Sequence, residues 1–177
     1  MNCHCCSPVV PSKAPAVGGY FLLDDHDGKR IDAFSFDDRL MLIFFGFANC
    51  SVVCPRELDK IDAALDALGE DADRIQPLYV TVDPERDSPE VLRTYLKNRP
   101  RFRGLTGSRA EIDAMKRNFR IFAERREDPS APDGYVVPHT TLAYLARPGG
   151  QVVAHFSESV GAQPLADRLR EQLSAGT

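Results

Sequence analysis

Two cysteines separated by three residues, in Gly46-Phe47-Ala48-Asn49-Cys50-Ser51-Val52-Val53-Cys54-Pro55, are the side chains of this 177-residue chain best suited to chemistry. Thiolate sulfur is both a nucleophile and a soft metal ligand, and two thiolates at this spacing can converge on one Cu(I) or Zn(II) ion. The same pair can close a disulfide if the Cα atoms come within about 7 Å. One imidazole would complete a three-ligand site. Of the four histidines, His139 is the best candidate, because Tyr135-Val136-Val137-Pro138 can carry it over the crevice where the cysteines sit. The other three cysteines bunch at the start of the chain. There Cys3, His4, Cys5 and Cys6 form a second soft-metal set or, with equal weight, a disordered tail with incidental thiols.

The cysteines need a scaffold, and the flanking residues supply one. Leu40-Met41-Leu42-Ile43-Phe44-Phe45 is an unbroken apolar run, the pattern of a strand buried on both faces. Leu58, Ile61, Leu65 and Leu68 recur at helical spacing beyond it. The pair therefore lies where a central strand hands over to a helix, and the N–H groups and dipole of a helix start favour thiolate there.

Further along, Pro77-Leu78-Tyr79-Val80-Thr81-Val82 is a second buried strand, followed by Asp83. Ser88-Pro89 caps a helix whose buried face is read as Val91, Leu92, Tyr95 and Leu96, and Gly104–Gly107 reads as a connector. Ser108 and Glu111 form a capping box, with Ile112, Met115 and Phe119 behind it. Tyr20–Leu23 and Ile31–Phe34 flank a turn containing Gly28 and a solvated His26, and a second hairpin pairs 141–146 with 151–156. Leu165, Leu169 and Leu173 mark a last helix. This order implies an α/β fold, a thioredoxin-like sandwich with a central mixed sheet, flanking helices and added β-hairpins. Sites in such sheets form beyond the carboxyl ends of the strands, so Cys50 and Asp83 should border one crevice.

Residues 1–18, rich in cysteine and proline, read as a flexible tether, and 19–177 as one domain long enough to bury roughly 70% of its unfolded surface. Five cysteines in two bunches do not make a secreted disulfide framework. Net charge is −4, but Arg93 to Arg126 holds eleven Lys/Arg against three Asp/Glu. That stretch is a solvated face or a dock for an acidic partner; the acidic remainder argues against nucleic acid. No stretch reaches the ~20 apolar residues of a membrane span, and no signal peptide opens the chain.

The chain resembles the Sco/SenC family of copper-binding proteins involved in cytochrome c oxidase assembly. The resemblance rests on Gly46-Phe47, Cys50-x-x-x-Cys54-Pro55, Val80-Thr81-Val82-Asp83-Pro84-Glu85-Arg86-Asp87-Ser88-Pro89, Phe102-x-Gly104-Leu105-Thr106-Gly107 and His139-Thr140-Thr141, in family order. It implies a copper site, Cu(I) or Cu(II), made by Cys50, Cys54 and His139, with Asp83 as an acidic neighbour. It also implies a partner in the copper subunit of cytochrome c oxidase or another cuproprotein, and a periplasmic or membrane-associated setting. Read as complete and without an anchor, the chain would instead be cytoplasmic. Two departures stand out: Ser51 and Val52 replace the family's usual Pro-Asp, and Pro138 precedes the histidine where Asp is common.

Two functions follow. One is a copper metallochaperone using the two thiolates and His139. The other is a thiol-disulfide oxidoreductase acting on partner cysteines through Cys50 and Cys54. The missing Cys-x-x-Cys and Thr-Pro signatures favour the first, and Phe47 stands where a peroxidase would carry threonine.

Overall fold

The computed structural model describes residues 16–131 and 133–175. The Cys3/His4/Cys5/Cys6 cluster and nearly all of the tether lie outside these residues. Nine strands and four helices follow in order: β1 Leu22–Asp25, β2 Arg30–Asp32, β3 Leu40–Gly46, α1 Val53–Leu68, β4 Ile75–Thr81, α2 Pro89–Tyr95, β5 Arg103–Thr106, α3 Arg109–Phe119, β6 Arg126–Glu127, β7 Tyr135–Val136, β8 Leu142–Ala146, β9 Val152–Ser157 and α4 Ala162–Ala175. Seven of the strands form one mixed sheet in the order β2-β1-β5-β4-β3-β8-β9, while β6 and β7 pair separately.

The apolar run of β3 occupies the middle of that sheet and serves two cores at once, because successive side chains point to opposite faces. Met41, Ile43 and Phe45 join Leu78 and Val80 of β4 and Ile112, Met115 and Phe119 of α3 on one face. Leu42 and Phe44 join Tyr79 of β4 on the other, under Leu58, Ile61 and Leu65 of α1 and Leu165, Leu169 and Leu173 of α4. Each fully buried side chain of this size contributes roughly 1.5–3 kcal/mol of transfer free energy. The two layers together hold the end of β3 rigid.

Three parallel strands, β3, β4 and β5, carry the middle of the sheet, and antiparallel neighbours close both edges. Parallel register sets Gly46 beside Thr81. Strand β8 runs antiparallel to β3, with Ala143 opposite Phe44, so the segment entering β8 arrives at the carboxyl end of β3. That topology, rather than any local preference, brings His139 to the cysteine end of the sheet.

Caps fall where the side chains demand them. Ser88 accepts from the Val91 N–H, and Ser108 with Glu111 closes a full capping box. Gly28 takes φ 80° in the β1–β2 turn. Three expectations need correction. The 104–107 connector is largely strand β5, paired with β4 on one side and β1 on the other; four residues opened by Arg and Gly carry no readable alternation. Val91 is 40% exposed, since α2 is only seven residues long and buries Leu92 alone. His26 is not simply solvated: its Nδ1 accepts the Gly104 N–H at 2.9 Å and ties the turn to β5.

Much of the basic stretch forms ion pairs with carboxylates of the same chain, most of them at the surface. Arg93 pairs with Asp27, Arg99 with Asp59 and Asp62, Arg101 with Asp66, Arg103 with Asp25, Arg109 with Glu85 and Lys116 with Asp113. Among the described residues, no helix is long and apolar enough to cross a membrane.

Candidate metal centre

The segment from Phe47 to Val52 leaves β3 and turns into α1. The Cys50 N–H donates to Phe47 O at 3.1 Å, and the turn is fastened from β4: Ala48 N–H and the Thr81 hydroxyl both donate to Asp87 Oδ2, at 3.0 and 2.7 Å. Asp87 is buried, and that burial raises its pKa to about 6 against the opposing help of those two hydrogen bonds. Sequence reasoning assigned Asp87 no role, although it stands in the Val80–Pro89 motif that carries the family resemblance.

Val52 occupies the N-cap of α1 and supplies no side-chain acceptor, and the first turn holds no acidic residue. The amides left open at a helix start need one. Cys50 sulfur fills the position, accepting the Cys54 N–H at 3.4 Å. A hydrogen bond from the Cys54 thiol, together with the N–H groups of Cys54, Val52 and Val53, lowers the Cys50 pKa to about 5 despite partial burial. The same sharing with Cys50, added to burial, pushes Cys54 far up. Both cysteines are free thiols, Cys50 half-buried and Cys54 fully buried. The pair thus holds one thiolate at the surface and one proton beneath it.

His139 lies beside this turn. Its ring meets Phe47 edge-on at 5.7 Å between centroids, and its backbone bridges to Ala123. Nδ1 sits 2.9 Å from Val137 O and Nε2 3.1 Å from Phe45 O. Both carbonyls only accept, so a neutral imidazole, with one N–H, can donate to one of them and leaves the other contact without a hydrogen bond. In this arrangement, no three His, Cys, Asp or Glu side chains among the described residues are gathered closely enough to hold a metal. The structure brings Cys50 and Cys54 together and leaves His139 adjacent, turned onto the backbone.

Asp83 is placed behind the wall rather than at the sulfurs. Its carboxylate accepts from Arg86 Nε at 2.5 Å and from the Tyr135 hydroxyl at 3.2 Å. The Arg86 guanidinium lies 3.7 Å from the Tyr135 ring centroid, and Arg125 covers the opposite face at 3.8 Å. Phe47, Cys50, Val52, Arg86, Tyr135 and Val136 line a cleft of about 300 Å³. Arg86 therefore places positive charge in the wall that also carries the Cys50 thiolate. Neither Arg86 nor Tyr135 was singled out by sequence reasoning, and for Tyr135 no local signal existed.

A mixed sheet between helices, with a Cys-x-x-x-Cys pair at the strand-to-helix turn, defines a thioredoxin-like thiol protein. The SCO1/SenC family profile matches residues 9–174. The chain belongs to the SCO1/SenC family. It is 37% identical over 156 residues to the protein sco1 of Schizosaccharomyces pombe, a match covering 86% of this chain and 59% of that one. The chain thus spans little more than half the length of that relative. The structure of Bradyrhizobium japonicum ScoI with copper bound shares 35% identity and a TM-score of 0.79, covering 88% of this chain and 99% of that one. BsSco, reported to contain a disulfide switch and described as a member of the Sco family of cytochrome c oxidase assembly proteins, is 25% identical. Its TM-score is 0.67, with 92% of this chain and 95% of that one covered.

Proposed function

We propose that this chain is a copper metallochaperone in which reduced Cys50 and Cys54, joined by His139, take up copper and pass it to a partner by ligand exchange. The observation that carries this reading is the sulfur pair itself, a half-buried Cys50 sulfur of lowered pKa resting on the buried Cys54 beside an imidazole. Two soft sulfurs and one nitrogen suit Cu(I), and copper is the cargo rather than a resident cofactor. His139 joins by releasing Phe45 O and turning its Nε2 to the ion. The ScoI relative with copper bound supports the metal, and the assembly role described for BsSco supports a partner in the copper subunit of cytochrome c oxidase or another cuproprotein. Asp83 acts at one remove, by holding Arg86 and Tyr135.

Anaerobic Cu(I) titration of the reduced protein tests the assignment. Cys50→Ser should lose the bound ion, and His139→Ala should hold it more weakly, by roughly 10-fold or more for a lost ligand, since even outer partners of metal ligands are worth ~10–100-fold. Copper held by His139→Ala as tightly as by the parent would remove His139 from the site.

A second reading, thiol-disulfide exchange with partner cysteines, is favoured by the same low Cys50 pKa and by the disulfide switch of BsSco. Stabilised thiolate makes the dithiol a poor reductant, so insulin reduction by this chain should be slow. Rapid turnover without copper retention would reverse the preference.

A further inference from the structure

Beneath the cysteine pair lie two phenol hydroxyls, both buried, that the proposed copper chemistry does not yet use. Tyr79 is fully buried on β4, Tyr95 closes α2, and their rings pack at 5.4 Å. Neither hydroxyl makes a well-formed hydrogen bond among the described residues, although Tyr79 lies close to both Cys54 and Tyr95. Buried hydroxyls without partners are uncommon and call for an explanation. Here both lie in one file leading to Cys54.

Gly46 shows how close that file approaches. A Cβ on Gly46 would fall 2.6 Å from Tyr79 Oη and 2.8 Å from Cys54 Sγ, so oxygen and sulfur crowd the same point above the glycine. No well-formed hydrogen bond joins them as they stand, although they lie near enough for each to act on the other's ionisation. The reason lies in the resting pair. Cys54 is a free thiol, and a thiol sulfur with its proton in place is only a weak acceptor. Coordination sends that proton to solvent and leaves a charged sulfur, which accepts strongly.

We infer that Tyr79 is a positioning residue for the loaded site: its hydroxyl turns to donate to Cys54 sulfur once that sulfur holds copper, with Tyr95 behind it. This inference rests on Cys54 being a ligand, as proposed above. The unpartnered hydroxyl burdens the empty protein and is relieved in the loaded one, so the pair of tyrosines biases the molecule toward retaining copper. A hydrogen bond to a ligand sulfur also draws electron density from it, a recognised way of tuning copper–thiolate sites.

The opposite signs of these effects make the test. Tyr79→Phe, Tyr95→Phe and Cys54→Ser are compared with the parent by anaerobic competition against a chromophoric Cu(I) chelator. Apo stability is followed by thermal unfolding. Tyr79→Phe should lose about 10-fold or more in Cu(I) affinity while the apo midpoint stays level or rises. Tyr95→Phe should lose less. In the Cu(II)-loaded form, the sulfur-to-copper absorption of Tyr79→Phe should move to longer wavelength. Parent affinity in Tyr79→Phe, with copper lost in Cys54→Ser, would overturn the role of Tyr79 alone. A fall in apo stability matching the fall in affinity would reduce Tyr79 to packing. Copper held normally by Cys54→Ser would overturn the site reading beneath it.

Discussion

Replacing Asp87 by asparagine should stabilise this protein at neutral pH, although it removes a charge from a hydrogen-bonded group. Asp87 Oδ2 alone accepts both Ala48 N–H and the Thr81 hydroxyl, so an amide oxygen can take over both bonds. What changes is the cost of burying the charge. Burial raises the Asp87 pKa from 3.8 to about 6. Between those values the folded protein holds a proton that the unfolded chain has already released. Stability from this group therefore falls as pH rises through that window and stays low above it. The gap corresponds to about 3 kcal/mol. Urea unfolding of parent and Asp87→Asn at several pH values reads the difference directly. The variant should match the parent near pH 4 and exceed it by up to about 3 kcal/mol at pH 7. A difference that does not change with pH, or a variant less stable at pH 7, would refute the account of how this carboxylate holds the cysteine turn.

Three further outcomes are expected. Cys50 should be alkylated by iodoacetamide at a rate that rises through about pH 5 and levels off well below neutrality, while Cys54 stays unmodified in the folded protein; mass spectrometry of the labelled peptide distinguishes them. Gly46→Ala should cost about 1–3 kcal/mol through its clash with Tyr79 Oη and Cys54 Sγ, and should weaken copper binding because Cys54 must move. Leu58→Ala, deep under α1, should cost about 2–5 kcal/mol in urea unfolding yet leave Cu(I) stoichiometry unchanged.

The parts of this fold that were legible in the sequence are those fixed by local rules. The unbroken apolar run of β3 and the leucine stripes of α1 and α4 announce themselves by periodicity. Ser88 and Ser108 do so by cap chemistry. Strand β5 was hidden because its pairing with β4 and β1, not its composition, makes it a strand. The ion-pair partners of the basic stretch were hidden for a related reason: they come from β1, the turn after it, α1 and the loop after β4, far away in the chain. The place of the cysteine turn between β3 and α1 was readable, but not its tie to Asp87. The position of His139 depended on the antiparallel return of β8, which no local pattern encodes. Asp87, Arg86, Tyr135 and Tyr79 act on the site through contacts between separate elements, and a single sequence carries no sign of such contacts.

The central claim is that two reduced sulfurs hold the metal, and the most direct measurement compares copper bound per chain in the dithiol and disulfide forms of the same preparation. Protein reduced and then loaded anaerobically should retain one copper per chain after desalting. Protein oxidised to the Cys50–Cys54 disulfide before loading should retain none at that site, and oxidation of the loaded form should release its copper. Equal retention by the two forms would contradict the account.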